Sequence, residues 1–195
     1  MGLTAYNAAG VSEEVRSKNN SLQVIPSGGV LQAAAIGGRL FSASSGTKVA
    51  TSAGVTTTWT GLGINNPAGS LKNVILHEFG FGQMLSPNTI GAIGLQTASI
   101  AAPAADLVVY NCLDGESASA SVCKAVNADT LVTPVLKRVF ASYDDAADSA
   151  ETALPNIYPL NGSLVLPPGR AVCSYTTLAT VAAYVFYFIW EEVAV

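Results

Sequence analysis

The residues best suited to chemistry are the adjacent pair His77 and Glu78, since an imidazole beside a carboxylate can move a proton or help hold a metal ion. His77 is the only histidine of the chain. Neither an H-E-x-x-H site nor a three-histidine cupin-type site can therefore be assembled within one subunit. The run Lys72 to Phe81 alternates, with Val74, Leu76 and Glu78 on one side and Ile75, His77, Phe79 and Phe81 on the other. Gly80 and Gly82 mark a bulge or bend. Neighbouring strand residues point to opposite faces, so His77 and Glu78 converge only if a bulge intervenes. A structural or interface histidine is the expected role.

Other chemistries find less support. A Ser-His-Asp triad built on a G-x-S-x-G elbow is excluded because the elbow is missing. Gly46-Thr47-Lys48 lacks the Gly-Lys-Ser/Thr order that cradles phosphate. Asp144, Asp145, Asp148 and Glu151 cluster in one run, but without the alternating spacing and central glycine of a calcium loop, and a solvated acidic loop is expected. Glu191 and Glu192 suit pairing with Arg170 or Arg138, contact with a neighbouring subunit, or an exposed strand end. Cys112, Cys123 and Cys173 form an odd, sparse set without a C-x-x-C pair, so buried free thiols are expected ahead of a Cys112–Cys123 bridge, and a zinc site last. No catalytic residue, cofactor or metal is assigned.

The elements that must position these residues read as strands. The last stretch, Leu178 to Trp190, is rich in β-branched and aromatic side chains, which pack well on a pleated surface and lose rotamer freedom in a helix. Val181, Ala183, Val185, Tyr187 and Ile189 share one face, and Ala182, Tyr184, Phe186, Phe188 and Trp190 the other. Both faces are apolar, so the strand is expected to be covered twice, by a second sheet and by another part of the chain or a neighbouring subunit. Tyr184, Phe186, Phe188, Trp190 and Tyr187 are accordingly candidate core or oligomer-interface residues. The run is too short for a membrane span and lacks a basic flank.

Composition narrows the classes further. Of 195 residues, 50% are hydrophobic and only 11% charged, and the formal net charge is −4. A surface built largely of Ala, Ser, Thr, Gly and Asn suits a subunit with much of its area in contacts. The acidic balance disfavours nucleic acid, whose phosphates call for a basic patch. Residues 1–10 carry no secretory pattern, and synthesis in a cytoplasm is expected.

Along the chain, residues 1–20 are expected to be an N-terminal arm, with a short helix from Ser12 to Arg16 capped by Ser12. Residues 21–195 are expected to form a single β-sandwich domain. Short strands are read at Leu22–Ile25, Val30–Ile36, Leu40–Ala43, Val55–Thr60, Lys72–Phe81, Thr89–Thr97, Ala105–Leu113, Leu131–Ser142, Ile157–Leu160, Ser163–Leu166 and Ala171–Thr176. Gly61–Ser70 reads as a loop, and Asp114–Ala128 as a loop or hairpin excursion. Pro134 suggests an edge position or a bulge. Many short strands at regular spacing, with no long helical period, predict an all-β sandwich or barrel.

Gly46–Thr51, Thr57–Ile64, Asn66–Ser70, Gly162–Arg170 and Trp190-Glu191-Glu192 resemble stretches of structural proteins of tailed bacteriophages, jelly-roll subunits that sit on the head as decoration, cement or fibre components. The likeness covers most of Leu22 to Val195 in general texture and leaves residues 1–20 uncovered. It implies a non-enzymatic virion protein, made in the host bacterial cytoplasm, whose partners are itself, as a homotrimer, and the major capsid protein or another virion protein. It implies no active site. The arm would be the capsid anchor, since a segment that orders on binding can wrap a large surface.

A different class remains open, a carbohydrate- or receptor-binding module on the same scaffold, with Tyr6, Tyr110, Tyr143 or Tyr158 as stacking platforms. Tyr143, Asp144 and Asp145 would be its loop contacts.

Overall fold

In this computed structural model the described residues are 3–6, 12–18, 21–23, 29–84, 91–100, 106–113, 120–143 and 156–195. Strands β1 (Leu3–Tyr6), β2 (Ser12–Lys18) and β3 (Ser21–Gln23) form an antiparallel sheet of their own. The helix expected from Ser12 to Arg16 is therefore a strand. Its hydrogen bonds are made to β1 and β3, and this pairing overrides a weak local helix signal.

The opposite correction holds for Val30–Ile36, which is the helix α1. Three consecutive alanines, Ala33 to Ala35, are the best helix formers. Gly37 donates to the Ala33 carbonyl and Gly38, at φ 66°, to that of Ala35, closing the helix in the left-handed conformation that glycine tolerates.

Ten strands follow: β4 (Leu40–Ser44), β5 (Val49–Thr51), β6 (Thr58–Asn66), β7 (Lys72–Gln83), β8 (Gly91–Ile100), β9 (Tyr110–Asn111), β10 (Lys124–Tyr143), β11 (Asn156–Leu166), β12 (Arg170–Thr176) and β13 (Thr180–Ala194). The expected Gly61–Ser70 loop is strand as far as Asn66, Ala105–Leu113 shrinks to the two residues of β9, and Lys124 already belongs to β10. The two runs flanking Asn161 and Gly162 make the one strand β11, in which those residues have φ 49° and 74°.

The chain is an all-β protein of antiparallel sheets packed on each other. One layer has the order β11-β7-β13-β4-β9, with β5 also on β13, and the other closes as a barrel in the order β10-β6-β12-β8. Between them lies the main core. The open sheet contributes Phe41, Phe79, Phe81, Phe186, Phe188 and Trp190, and the barrel contributes Leu62, Ile64, Ile93, Leu95 and Val172. A smaller cluster surrounds Trp59 among the barrel strands, where the Trp59 indole donates to the Ser174 carbonyl at 2.9 Å.

Closure depends on β10, which pairs with β6 through residues 124–130 and then with β8 from Leu131 to Tyr143. A bulge sits at Thr133 and Pro134, with Thr133 at φ 48°. Farther along, β10 approaches β8 so closely that a Cβ on Gly94 would lie 2.0 Å from the Arg138 carbonyl oxygen.

Candidate functional site

The terminal strand β13 is the centre of the open sheet, hydrogen-bonded to β7 on one side and to β4 and β5 on the other. Tyr184, Phe186, Phe188 and Trp190 are buried on its inner face. Phe188 faces Phe79 across the ladder at a ring distance of 5.0 Å, Phe186 stacks on Phe79 at 6.0 Å, and Trp190 meets Phe41 at 6.3 Å. Aromatic contacts of this kind contribute about 0.5–1.5 kcal/mol each beyond the area they bury. Tyr187 lies on the outer face and is half-buried.

The clean alternation expected from Lys72 to Phe81 is broken. Glu78 pairs with Ile189 and Leu76 with Trp190, which leaves His77 as an extra residue, a β-bulge. Leu76 and Phe79 both enter the core, so His77 and Glu78 between them both turn to the outer face. There the His77 Nε2 lies 3.4 Å from Glu191 Oε2, and Arg39 holds Glu191 Oε1 at 3.1 Å. Glu78 accepts a 2.5 Å hydrogen bond from the Tyr187 hydroxyl. Burial, together with the Glu78 carboxylate, holds the Tyr187 phenol well above its ordinary pKa.

Each member of this row thus has a partner: Arg39–Glu191–His77 on one side of the bulge and Glu78–Tyr187 on the other. Such an arrangement orients side chains and joins β7 to β13 and to the start of β4. Among the described residues no group of three or more His, Cys, Asp or Glu could hold a metal ion.

Glu192 points the other way and is a second structural hub. It accepts from Lys72 Nζ at 3.0 Å, from Ser121 Oγ at 2.7 Å, from the Val122 and Cys123 amides and from the Trp190 indole at 3.4 Å. Burial pushes its pKa up, but the hydrogen bonds from Ser121, Lys72 and Val122, with the Lys72 charge, outweigh this and hold the carboxyl below its ordinary value. The two glutamates are therefore neither an exposed strand end nor the partners of Arg170 and Arg138, which bind Ser99 and Ser163 instead. Their adjacency on a strand was the available signal, since neighbours must serve opposite faces. Arg39, Lys72 and Ser121 were not legible as their partners, being 152, 120 and 71 positions from them in sequence.

The three cysteines are free. Cys123 and Cys173 are buried, and burial raises both thiols strongly. Cys112 departs from the expectation of burial and is exposed, because it lies in the turn after β9.

Of the tyrosines considered as sugar platforms, Tyr110 is exposed on β9. Its neighbour Asn111 is already engaged, donating to the Gly38 carbonyl and accepting from the Leu113 amide. Tyr158 is no loop platform: it lies in β11, stacked on Phe140 at 4.6 Å and Phe81 at 5.9 Å. Tyr143 ends β10 opposite Gly91. Asp144, Asp145, Asp148 and Glu151 lie outside the described residues.

The most conspicuous surface feature is apolar. Beyond Leu131, β10 exposes Val132 (46%), Val135 (47%), Leu136 (39%) and Val139 (53%), and the neighbouring β11 exposes Ile157 (55%) and Val165 (46%). Arg138 reaches from β10 to Ser163 of β11 at 3.0 Å, and Phe140 stacks on Tyr158. β11 ends its sheet, and this part of β10 pairs on one side only, with β8. No protein-family profile, curated protein or solved structure matches this chain.

Proposed function

We propose that this protein is a non-enzymatic assembly subunit that acts by associating with copies of itself. The observation that carries the reading is the number of large aliphatic side chains exposed on β10 and β11. Six large aliphatic side chains exposed on two strands that each lack a partner on one side are a poor surface for a lone subunit in water, and exposed apolar surface of this kind marks interaction sites. Association removes that area from water at about 25 cal/mol per Å² of apolar surface. The saturated polar row on the outer face of β7 and β13 suits rigidity rather than turnover, because its groups bind each other.

Within that class, the reading is a virion structural protein, a jelly-roll-like decoration, cement or head-fibre subunit of a tailed bacteriophage that assembles as a homotrimer on the capsid. Its support is the sequence texture from Leu22 to Val195. A sugar- or receptor-binding module is less favoured, since Asn111 beside the exposed Tyr110 has its amide groups already engaged.

Sedimentation equilibrium at several concentrations tests the proposal. The expected result is a species of three times 19.9 kDa, with Val135→Asp plus Val139→Asp sedimenting as a folded monomer. A wild-type monomer at every concentration, or a double variant that assembles as the wild type does, overturns it.

A further inference from the structure

A second feature adjoins the exposed aliphatic side chains of β11 and shares Val165 with them. A groove of about 200 Å³ lies between β11 and the barrel, lined by Leu164, Val165, Leu166 and Pro167 on one wall and by Lys137, Arg170 and Thr97 on the other. Three observations give it a chemical character. First, its charged lining groups are both cationic, in a chain of net charge −4. Lys137 is the residue left over by a shift of register between Leu136 and Arg138, and a bulge of this kind re-aims a side chain. Second, neither cation is neutralised by another of the described residues. Among the described residues no carboxylate pairs with Lys137 or Arg170, and the Arg170 guanidinium is tethered only through Nη1, which donates to Ser99 Oγ at 2.9 Å.

Third, Thr97 is 4% exposed and its hydroxyl has no hydrogen-bond partner among the described residues. A buried, unpaired hydroxyl is unfavourable by about 1–3 kcal/mol and is rarely left so without a reason. Thr97 is held in the ladder between Val135 of β10 and Val172 of β12, so its position is rigid. A rigid donor, a guanidinium and an ammonium beside a wall of aliphatic side chains complement a carboxylate carried on an apolar body.

We propose that this groove is a binding site for a small aliphatic carboxylate, its headgroup held by Arg170 and Lys137 above the buried Thr97 hydroxyl and its chain lying along Leu164 to Pro167. Both halves of the ligand are needed. An anion without the chain leaves the aliphatic wall in water, and a chain without the anion leaves the cations unpaired.

Isothermal titration of the full chain with sodium octanoate tests this, with 1-octanol and inorganic phosphate as the two half-ligands. Octanoate is expected to bind saturably at one site per chain, and each half-ligand about tenfold more weakly or worse. Lys137→Gln is expected to weaken octanoate binding about tenfold, the loss of one charge-assisted contact. Thr97→Val should also weaken it while leaving the fold intact, because that hydroxyl makes no internal hydrogen bond. Lys48→Gln, remote from the groove, should bind as the wild type does. The proposal is overturned if octanoate gives no saturable heat, if octanol or phosphate binds as tightly, or if Lys137→Gln and Thr97→Val leave the affinity unchanged.

Discussion

Tyr187 covers Gly80 so closely that a Cβ on the glycine would stand 2.1 Å from the tyrosine ring, and its hydroxyl meets Glu78 Oε1 at 2.5 Å. The glycine and the carboxylate, two positions apart on β7, together fix one aromatic side chain of β13. The aromatic therefore works as a clasp on the outer face, opposite the phenylalanine cluster.

Gly80→Ala is expected to destabilise the fold by about 1–3 kcal/mol, the usual range for inserting a methyl where there is no room. Gly80→Ala in a Tyr187→Ala background should show a much smaller loss, since the clashing ring is gone. Urea unfolding of the four members of this double-mutant cycle gives the coupling.

The same clasp predicts an alkaline effect. The Tyr187 phenol has its pKa raised above the ordinary 10.0, so at a pH above 10 the unfolded chain releases this proton while the folded chain keeps it. The folded state then binds more protons, and stability falls as pH rises from that point. Tyr187→Phe should flatten this slope. Urea midpoints across pH 9 to 11.5 for the two proteins provide the check.

Glu192 gives the acid counterpart. Its carboxyl is held below the ordinary value of 4.5, so its contribution is fully present above that pH and is lost as pH falls through the lower folded value. Glu192→Gln should be less stable at pH 7 by about 3 kcal/mol, since breaking a buried ion pair leaves Lys72 and several donors underserved. It should also lose the acid slope below pH 4.5. Denaturant titrations at pH 3, 4, 5 and 7 distinguish the two proteins.

The thiols should react in two classes. Cys112 is exposed, whereas Cys123 and Cys173 are buried and hold their protons tightly, and only a thiolate attacks a disulfide reagent. Ellman's reagent should therefore titrate one thiol in the native protein and three after unfolding. Three fast thiols in the native state would contradict the burial of Cys123 and Cys173.

The sequence by itself determined that the chain is a β-protein and that one face of its last strand is a row of aromatic side chains. Tyr184, Phe186, Phe188 and Trp190 alternate with smaller or more polar neighbours, and Pro167-Pro168-Gly169 marks the turn into β12, where the Arg170 amide closes on the Pro167 carbonyl. Both signals are local: side-chain period and turn chemistry need only a few neighbouring residues. Tertiary structure decided the rest. Whether His77 and Glu78 share a face depends on a bulge set by pairing with Ile189 and Trp190, more than 100 positions away. Whether Ser12 to Arg16 is helix or strand depends on the pairing of β2 with β1 and β3. The partners of Glu191 and Glu192, the passage of β10 from β6 to β8, and the groove beside Thr97 arise only when distant strands come into register. Register is an energy shared between segments, and no window of sequence contains both of its terms.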